Sequence, residues 1–346
     1  MVLYLKITYF LCGNMSIIML QLFSIKIKVY RGDIMNYILL IIGFIVLVKC
    51  ADIFVDGSSN LAKTLGVPTL IIGLTVVAFG TSAPEAAVSI ASSVKKEADL
   101  ALGNVVGSNI CNTLLVLGVS ALFNPLKSKK QIILKDYLFY LLSLIILFCM
   151  VSGPFFMNEG LGVMSRSDGL VMLCFLAVYL YSLIINVNRN DMKKKEKKKF
   201  EFKDLLYIVL GIVGIILGGN VVVDSATNIA TSFGISKKLI ALTIVAVGTS
   251  LPELVTSVVA AKKGETDIAI GNVIGSNIFN ICFILGASGA INPILVNKES
   301  LIDIAFMMIS AFIVYLFSIK NKRIGNKKAI IMLLLYTIYT VYIIYR

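Results

Sequence analysis

The chain has 346 residues, 58% of them hydrophobic and only 15% charged, with a net charge of +13 and no histidine. Its mean hydropathy of +0.93 excludes an ordinary soluble domain, whose surface needs far more charge, and points to a polytopic membrane protein. The basic residues sit in short runs between apolar segments and form no basic face, so they read as topology signals and not as a nucleic-acid surface.

In chain order, residues 1–35 come first as an N-terminal extension. Within it residues 7–23 are apolar but short, and Lys26, Lys28 and Arg31 follow them. An extra helix, an interfacial segment and an upstream extension from a misassigned start are all compatible with this, and no signal-peptide cleavage pattern is evident. Spans of about 20 residues are predicted near 36–56, 68–94, 99–123, 132–152 and 167–187. A second set is predicted near 204–225, 238–261, 267–291, 300–319 and 328–345. Between the sets, residues 188–203 contain RNDMKKKEKKKFEFK, a linker too charged to enter a bilayer. The sequence therefore predicts an all-α integral membrane protein of ten transmembrane helices. Residues 36–187 form one five-helix half and residues 204–346 the other.

Placing the basic linker in the cytoplasm brings Lys63, Lys127, Lys129, Lys130, Lys262, Lys263 and Lys328 to the same side, and the asymmetry leaves both ends of the ten-helix core outside. With five helices in each half, the halves run antiparallel, which is an inverted-topology repeat. The sequence itself is duplicated. Residues 75–112, TVVAFGTSAPEAAVSIASSVKKEADLALGNVVGSNICN, return without a gap at 243–280 as TIVAVGTSLPELVTSVVAAKKGETDIAIGNVIGSNIFN, an offset of 168. At the same offset Asp56 matches Asp224, Asn60 matches Asn228, and Asn124-Pro125 matches Asn292-Pro293.

Each copy carries a carboxylate, Glu85 or Glu253, in an apolar run. An ionised side chain in hydrocarbon costs about 2.5 to 3.5 kcal/mol on lenient insertion scales, so two at equivalent places are expected to be functional. Proline precedes each of them and removes a helical hydrogen bond, which predicts that the second and seventh helices break beside Gly80 and Gly248. Unpaired backbone groups are tolerated in a bilayer only where they line a cavity or meet a ligand. Thr81 lies one turn from Glu85 on the same face, as Thr249 does from Glu253.

Two carboxylates, the Ala78 and Ala246 carbonyls and the Thr81 and Thr249 hydroxyls make a set of hard oxygens, which suits calcium or sodium over softer transition metals. The third and eighth helices add Ser108 and Asn112, and Ser276 and Asn280, each pair four residues apart. Their neutral oxygens suit sodium, although interhelical hydrogen bonding explains them too. Gly103, Gly107, Gly271 and Gly275 read as sites of close helix approach. Asp56, Asp224, Glu97, Asp99, Glu265 and Asp267 read as helix caps and dipole partners. Six scattered cysteines with no CxxC indicate neither a disulfide framework nor a zinc site. No paired catalytic motif is present, so an enzyme is not expected.

With its paired GTS-x-PE and GN-x-x-GSN-x-x-N motifs, the chain from about residue 36 resembles the cation/calcium exchanger superfamily, in particular the prokaryotic sodium/calcium exchangers with two alpha-repeats. The resemblance implies a calcium site at Glu85, Glu253, Thr81 and Thr249, with Ser82, Ser250, Ser108 and Ser276 joining sodium sites. It implies sodium/calcium antiport by alternating access, exporting calcium across the cytoplasmic membrane, with calcium and sodium as transported ions and no cofactor. Some relatives have Asp where this chain has Asn280, and potassium co-transport goes with that Asp, so it is not expected here. A proton/calcium antiporter of the same superfamily is the nearest alternative, and a cation channel a more distant one.

Overall fold

The structure is a computed structural model that describes residues 2–127, 135–156, 162–185, 201–235, 244, 246–319 and 323–346; the side chains of 2–33, 154–156 and 246 lie outside the description. The basic linker and the start of the expected seventh helix therefore fall outside the described residues.

The first half begins with α1, Val2–Leu65, continuous through Met35, where the sequence suggested that the first core helix opens. Then come α2 (Thr69–Thr81) and α3 (Ala83–Val94), bent by 51° where they meet. They are followed by α4 (Ala98–Phe123), α5 (Tyr137–Phe156) and α6 (Arg166–Ile185). In the second half, α7 (Phe202–Ser232) precedes the short α8 (Ala246–Thr249) and α9 (Leu251–Lys262). α10 (Thr266–Ile291), α11 (Lys298–Ile319) and α12 (Asn326–Tyr345) complete it. Among the described residues seven helices are long and apolar enough to cross a membrane, or eight if α2 and α3 count as one span, and Tyr137–Gly153 is a shorter apolar helix.

The fold is all-helical, with short strands only in the connections. Two small antiparallel ribbons join the connections: β1 (Leu126–Lys127) pairs with β4 (Arg323–Ile324), and β2 (Gly162–Met164) pairs with β3 (Ile294–Val296). β1 and β2 belong to the first half and β3 and β4 to the second, so each ribbon ties the halves together.

Burial separates the helices into two groups. In the most apolar stretch of α4 and α10, 78% and 89% of residues are buried, against 17–33% for α1, α6, α7, α11 and α12. The outer helices turn large apolar side chains outward, among them Ile41, Ile45, Ile184, Leu334 and Ile338, as lipid-facing surfaces require. α4 and α10 thus form the centre, and their small residues allow close packing. A Cβ on Gly275 would lie 2.6 Å from the Leu74 carbonyl oxygen, and one on Gly271 would lie 3.0 Å from that of Leu70, so α10 rests directly on α2. The close approach expected at Gly271 and Gly275 is thus seen, while the segment 236–243, offset counterpart of the α2 residues that meet them, lies outside the described residues and leaves Gly103 and Gly107 without that comparison.

The acidic residues near helix ends do less capping than expected. Glu97 and Glu265 occupy N-cap positions without a side-chain cap bond, and Glu265 instead accepts from Ser59 at 2.8 Å. Asp56 lies inside α1, where it and Asp52 pair with Lys263 at 2.7 and 2.9 Å. These bonds fix the C-terminal part of α1 to the turn between α9 and α10. Both aspartates are about half exposed, so Lys263→Met is expected to lower stability by about 1 kcal/mol or less, read as a small shift in the thermal unfolding of purified protein.

Candidate functional site

The carboxylates sit just after Ser82, where α2 and α3 meet at 51°, and just after Ser250, which lies between α8 and α9. Pro84 and Pro252 occupy the first turns of α3 and α9, the one helical position where a missing N–H has no cost. Ser82 and Ser250 precede these helices as N-caps, with φ, ψ of −86°, 4° and −90°, 8°. Glu85 and Glu253 consequently fall in the first turns of α3 and α9. There the unsatisfied N–H groups and the helix dipole favour a negative charge.

Both carboxylates face inward: Glu85 and Glu253 are 0% exposed. They come from opposite halves yet lie close enough for their charges to interact. Ser82 of the first half donates its hydroxyl to Glu253 Oε1 of the second at 2.8 Å. Among the described residues the reciprocal bond from Ser250 to Glu85 is not made, and neither Glu85 oxygen nor Glu253 Oε2 has a hydrogen-bond partner. Leaving buried carboxylate oxygens without donors is costly, so these atoms mark a place suited to a positive ligand.

Thr81 and Ser276 complete the side of the site where α2 meets α10. Thr81 donates its hydroxyl to Asn272 Oδ1 at 3.0 Å, with the Val77 and Ala78 carbonyls at 3.1 and 3.3 Å as alternative acceptors. Ser276 Oγ lies 3.5 Å from Thr81 Oγ1 and donates to the Ala78 carbonyl at 3.4 Å. That carbonyl also accepts the Ser82 N–H at 3.0 Å, so the helix break does not release it from backbone pairing and a cation would share it. In the second half the Ser250 N–H bonds instead to the Val247 carbonyl at 3.1 Å. Ala246 opens α8, and Thr249, one turn before Glu253, is half-buried.

Ser108 and Asn112 on α4 are buried, and Ser108 Oγ and both side-chain polar atoms of Asn112 lack hydrogen-bond partners. Asn112 sits in a π-helical turn, Cys111–Val116, and Asn280 opens its counterpart, Asn280–Leu285. Such turns widen a helix and occur often at functional sites. Asn280 donates to Asn109 Oδ1 at 3.0 Å, while its own Oδ1 has no partner. Among the described residues no three acidic, cysteine or histidine side chains gather as a metal cluster.

Sequence reasoning quoted the GN and GSN motifs but passed over four of their asparagines as site residues. Asn272 bridges the two halves, accepting from Thr81 and donating to Ser257 Oγ at 2.9 Å and to the Glu253 carbonyl at 3.3 Å. Its counterpart Asn104 donates to Ser89 Oγ at 2.9 Å, a bond repeated at the same offset of 168. Asn109 and Asn277 link α4 to α10: Asn109 Nδ2 donates to the Asn277 carbonyl at 3.2 Å, and Asn277 Nδ2 to Thr113 Oγ1 at 2.9 Å. Polar residues recurring at the 168 offset within apolar helices were the available signal, and it marked all four.

Comparison with known proteins identifies the family. The profile described as "Sodium/calcium exchanger protein" matches residues 35–185 and 203–345. The chain is 41% identical to inner membrane protein YrbG of Escherichia coli strain K12, with 74% of this chain and 79% of that protein covered. It is 34% identical to sodium/calcium exchanger MaX1 of Methanosarcina acetivorans, with 90% and 99% covered. Among solved structures, the sodium-calcium exchanger NCX_Mj soaked with sodium and strontium superimposes with a TM-score of 0.76 at 34% identity, over 88% of this chain and 97% of that one. The chain belongs to the sodium/calcium exchanger family.

Proposed function

We propose that this chain exchanges sodium for calcium across the cytoplasmic membrane by alternating access, with the sodium gradient expelling calcium. The observation that carries the reading is the meeting of Glu85 and Glu253 from opposite halves, with Ser82 of the first half bonded to Glu253 of the second, within a set of neutral oxygens. Two carboxylates balance one calcium ion, so the loaded site is nearly neutral and its passage through a low-dielectric interior costs little. Calcium takes six to eight oxygens. Glu85, Glu253, Thr81, Thr249 and the Ala78 and Ala246 carbonyls are the set assigned to it. Sodium competes for the carboxylates and uses Ser82, Ser250, Ser108, Ser276, Asn112 and Asn280. Either load screens the two acids enough for the halves to rearrange, and an unloaded pair resists it.

On this reading the fold is ten spans in two inverted five-helix repeats, with the linker 188–203 in the cytoplasm. The strand pairing supports it. β1, which follows α4, meets β4, which precedes α12, while β2 and β3 meet elsewhere. Helices that alternate direction in two antiparallel halves bring those pairs of connections to the same face. The Lys263 bonds to α1 likewise put the α9–α10 turn beside the end of α1. Positive-φ turns also recur at the offset, at Gly66 and Gly234 and at Lys96 and Gly264.

The matched relatives do not favour the proton/calcium alternative, since those named for their ions are sodium exchangers. Relatives named sodium/potassium/calcium exchanger 1 match less of the chain, 46% for the mouse protein. Calcium-45 uptake into proteoliposomes tests the coupling, with sodium, proton and potassium gradients imposed in turn. An outward sodium gradient is expected to drive uptake, and a pH or potassium gradient alone to leave it at background. Uptake driven by pH without sodium would overturn the assignment.

A further inference from the structure

An asparagine side chain presents a cation with either a carbonyl oxygen, which binds it, or an NH2 group, which repels it. Which end faces the site depends on what holds the other end. At Asn280 the NH2 is held, since Nδ2 donates to Asn109 Oδ1 at 3.0 Å and Oδ1 is buried without a partner. Asn109 is itself fixed by a group that can only accept: its Nδ2 donates to the Asn277 backbone carbonyl at 3.2 Å. Turning the Asn109 amide over would set its oxygen against that carbonyl and its NH2 against the NH2 of Asn280, and both contacts would be repulsive. The backbone carbonyl on α10 therefore sets Asn109 on α4, and Asn109 sets Asn280 back on α10. All three residues are buried, so water offers no substitute partner.

The offset counterparts behave differently. Among the described residues Asn112, which corresponds to Asn280, makes no side-chain bond, and the Oδ1 of Asn277, which corresponds to the acceptor on Asn109, has no partner. One asparagine of the pair is oriented in this conformation and the other is not.

We infer that Asn109 is a positioning residue for ion binding, directing the Asn280 carbonyl oxygen, and not its NH2 group, at the transported cation. This rests on the proposed exchange function and on Asn280 as a ligand in it. Initial rates of sodium-driven calcium-45 uptake, measured against calcium concentration in proteoliposomes, give KM and maximal rate for Asn109→Ala, Asn280→Ala, the double variant, and Asn109→Ala in an Asn280→Asp background. Asn109→Ala is expected to raise KM about tenfold, the equivalent of about one lost oriented contact, with the maximal rate nearly unchanged. The double variant is expected to match Asn280→Ala, because coupled residues are not additive. In the Asn280→Asp background, where both ends of the side chain are oxygen, removing Asn109 is expected to leave KM nearly unchanged.

Effects that multiply in the double variant, or a fall in maximal rate that is the same in every background, would reduce Asn109 to a packing role and overturn the inference. An unchanged KM in Asn280→Ala would overturn it too, while persistent wild-type exchange would show that the exchange reading survives. Should Asn109→Ala yield too little folded protein, Asn109→Leu, similar in volume and without an acceptor, reads the same split.

Discussion

Replacing Glu253 by Gln is expected to reduce sodium-driven calcium uptake by at least about a hundredfold, and Glu85→Gln to do the same. Gln keeps the volume and one carbonyl oxygen, so the change isolates charge. Both side chains are fully buried, at the starts of α3 and α9, where a dipole already favours an anion. Opposite unit charges about 4 Å apart attract by about 4 kcal/mol at an effective dielectric constant of 20. A divalent ion in direct contact gains more, and a hundredfold change needs only about 2.7 kcal/mol. The loss should appear in both substitutions, because two charges are needed to neutralise calcium. Initial uptake rates in proteoliposomes, normalised to monodisperse protein, check it.

The second large effect is expected at Gly275. An alanine there would put its Cβ 2.6 Å from the Leu74 carbonyl oxygen and 2.7 Å from Ala78 Cβ, so α10 would have to move off α2. Overpacking of this kind costs about 1 to 3 kcal/mol, and the displacement would draw Ser276 away from Ala78 and Thr81. Gly275→Ala is therefore expected to lower thermal stability and to abolish most transport. Melting temperature and calcium uptake of Gly275→Ala, set against the wild type, test whether the α2–α10 contact has the importance assigned to it.

Much of the chemistry was legible in the sequence because an apolar background makes each polar residue conspicuous. Glu85, Glu253, Thr81 and Ser276 stand out at an offset of 168, and the proline beside Glu85 lies next to the 51° bend between α2 and α3. What the sequence could not supply was the asymmetry of two nearly identical motifs. Among the described residues, Ser82 bonds Glu253, but Ser250 does not bond Glu85, and Asn280 is oriented, but Asn112 is not. Equivalent residues read alike in a sequence, and only a particular conformation distinguishes them.

Other features escaped for simpler reasons. β1 to β4 have two or three residues each, too few to show a period of two. The pairing of Asp52 and Asp56 with Lys263 joins positions 211 and 207 residues apart, so Asp56 read locally as a cap and Asp52 drew no reading. Asn109, Asn272 and Asn277 drew no reading of their own, though interhelical hydrogen bonding is what asparagines between apolar helices commonly provide. That is in fact what they do, and the bonds they make are the ones that hold Thr81, Glu253 and Asn280 in place.

The central claim is that Glu85 and Glu253 together hold one calcium ion in a site that sodium shares. Equilibrium binding of calcium-45 to purified protein, titrated with sodium, measures this without relying on transport. Wild-type protein is expected to bind one calcium per chain and to release it as sodium rises, and the Glu85→Gln/Glu253→Gln protein to bind none. Saturable, sodium-sensitive calcium binding that persists in the doubly substituted protein would contradict the account.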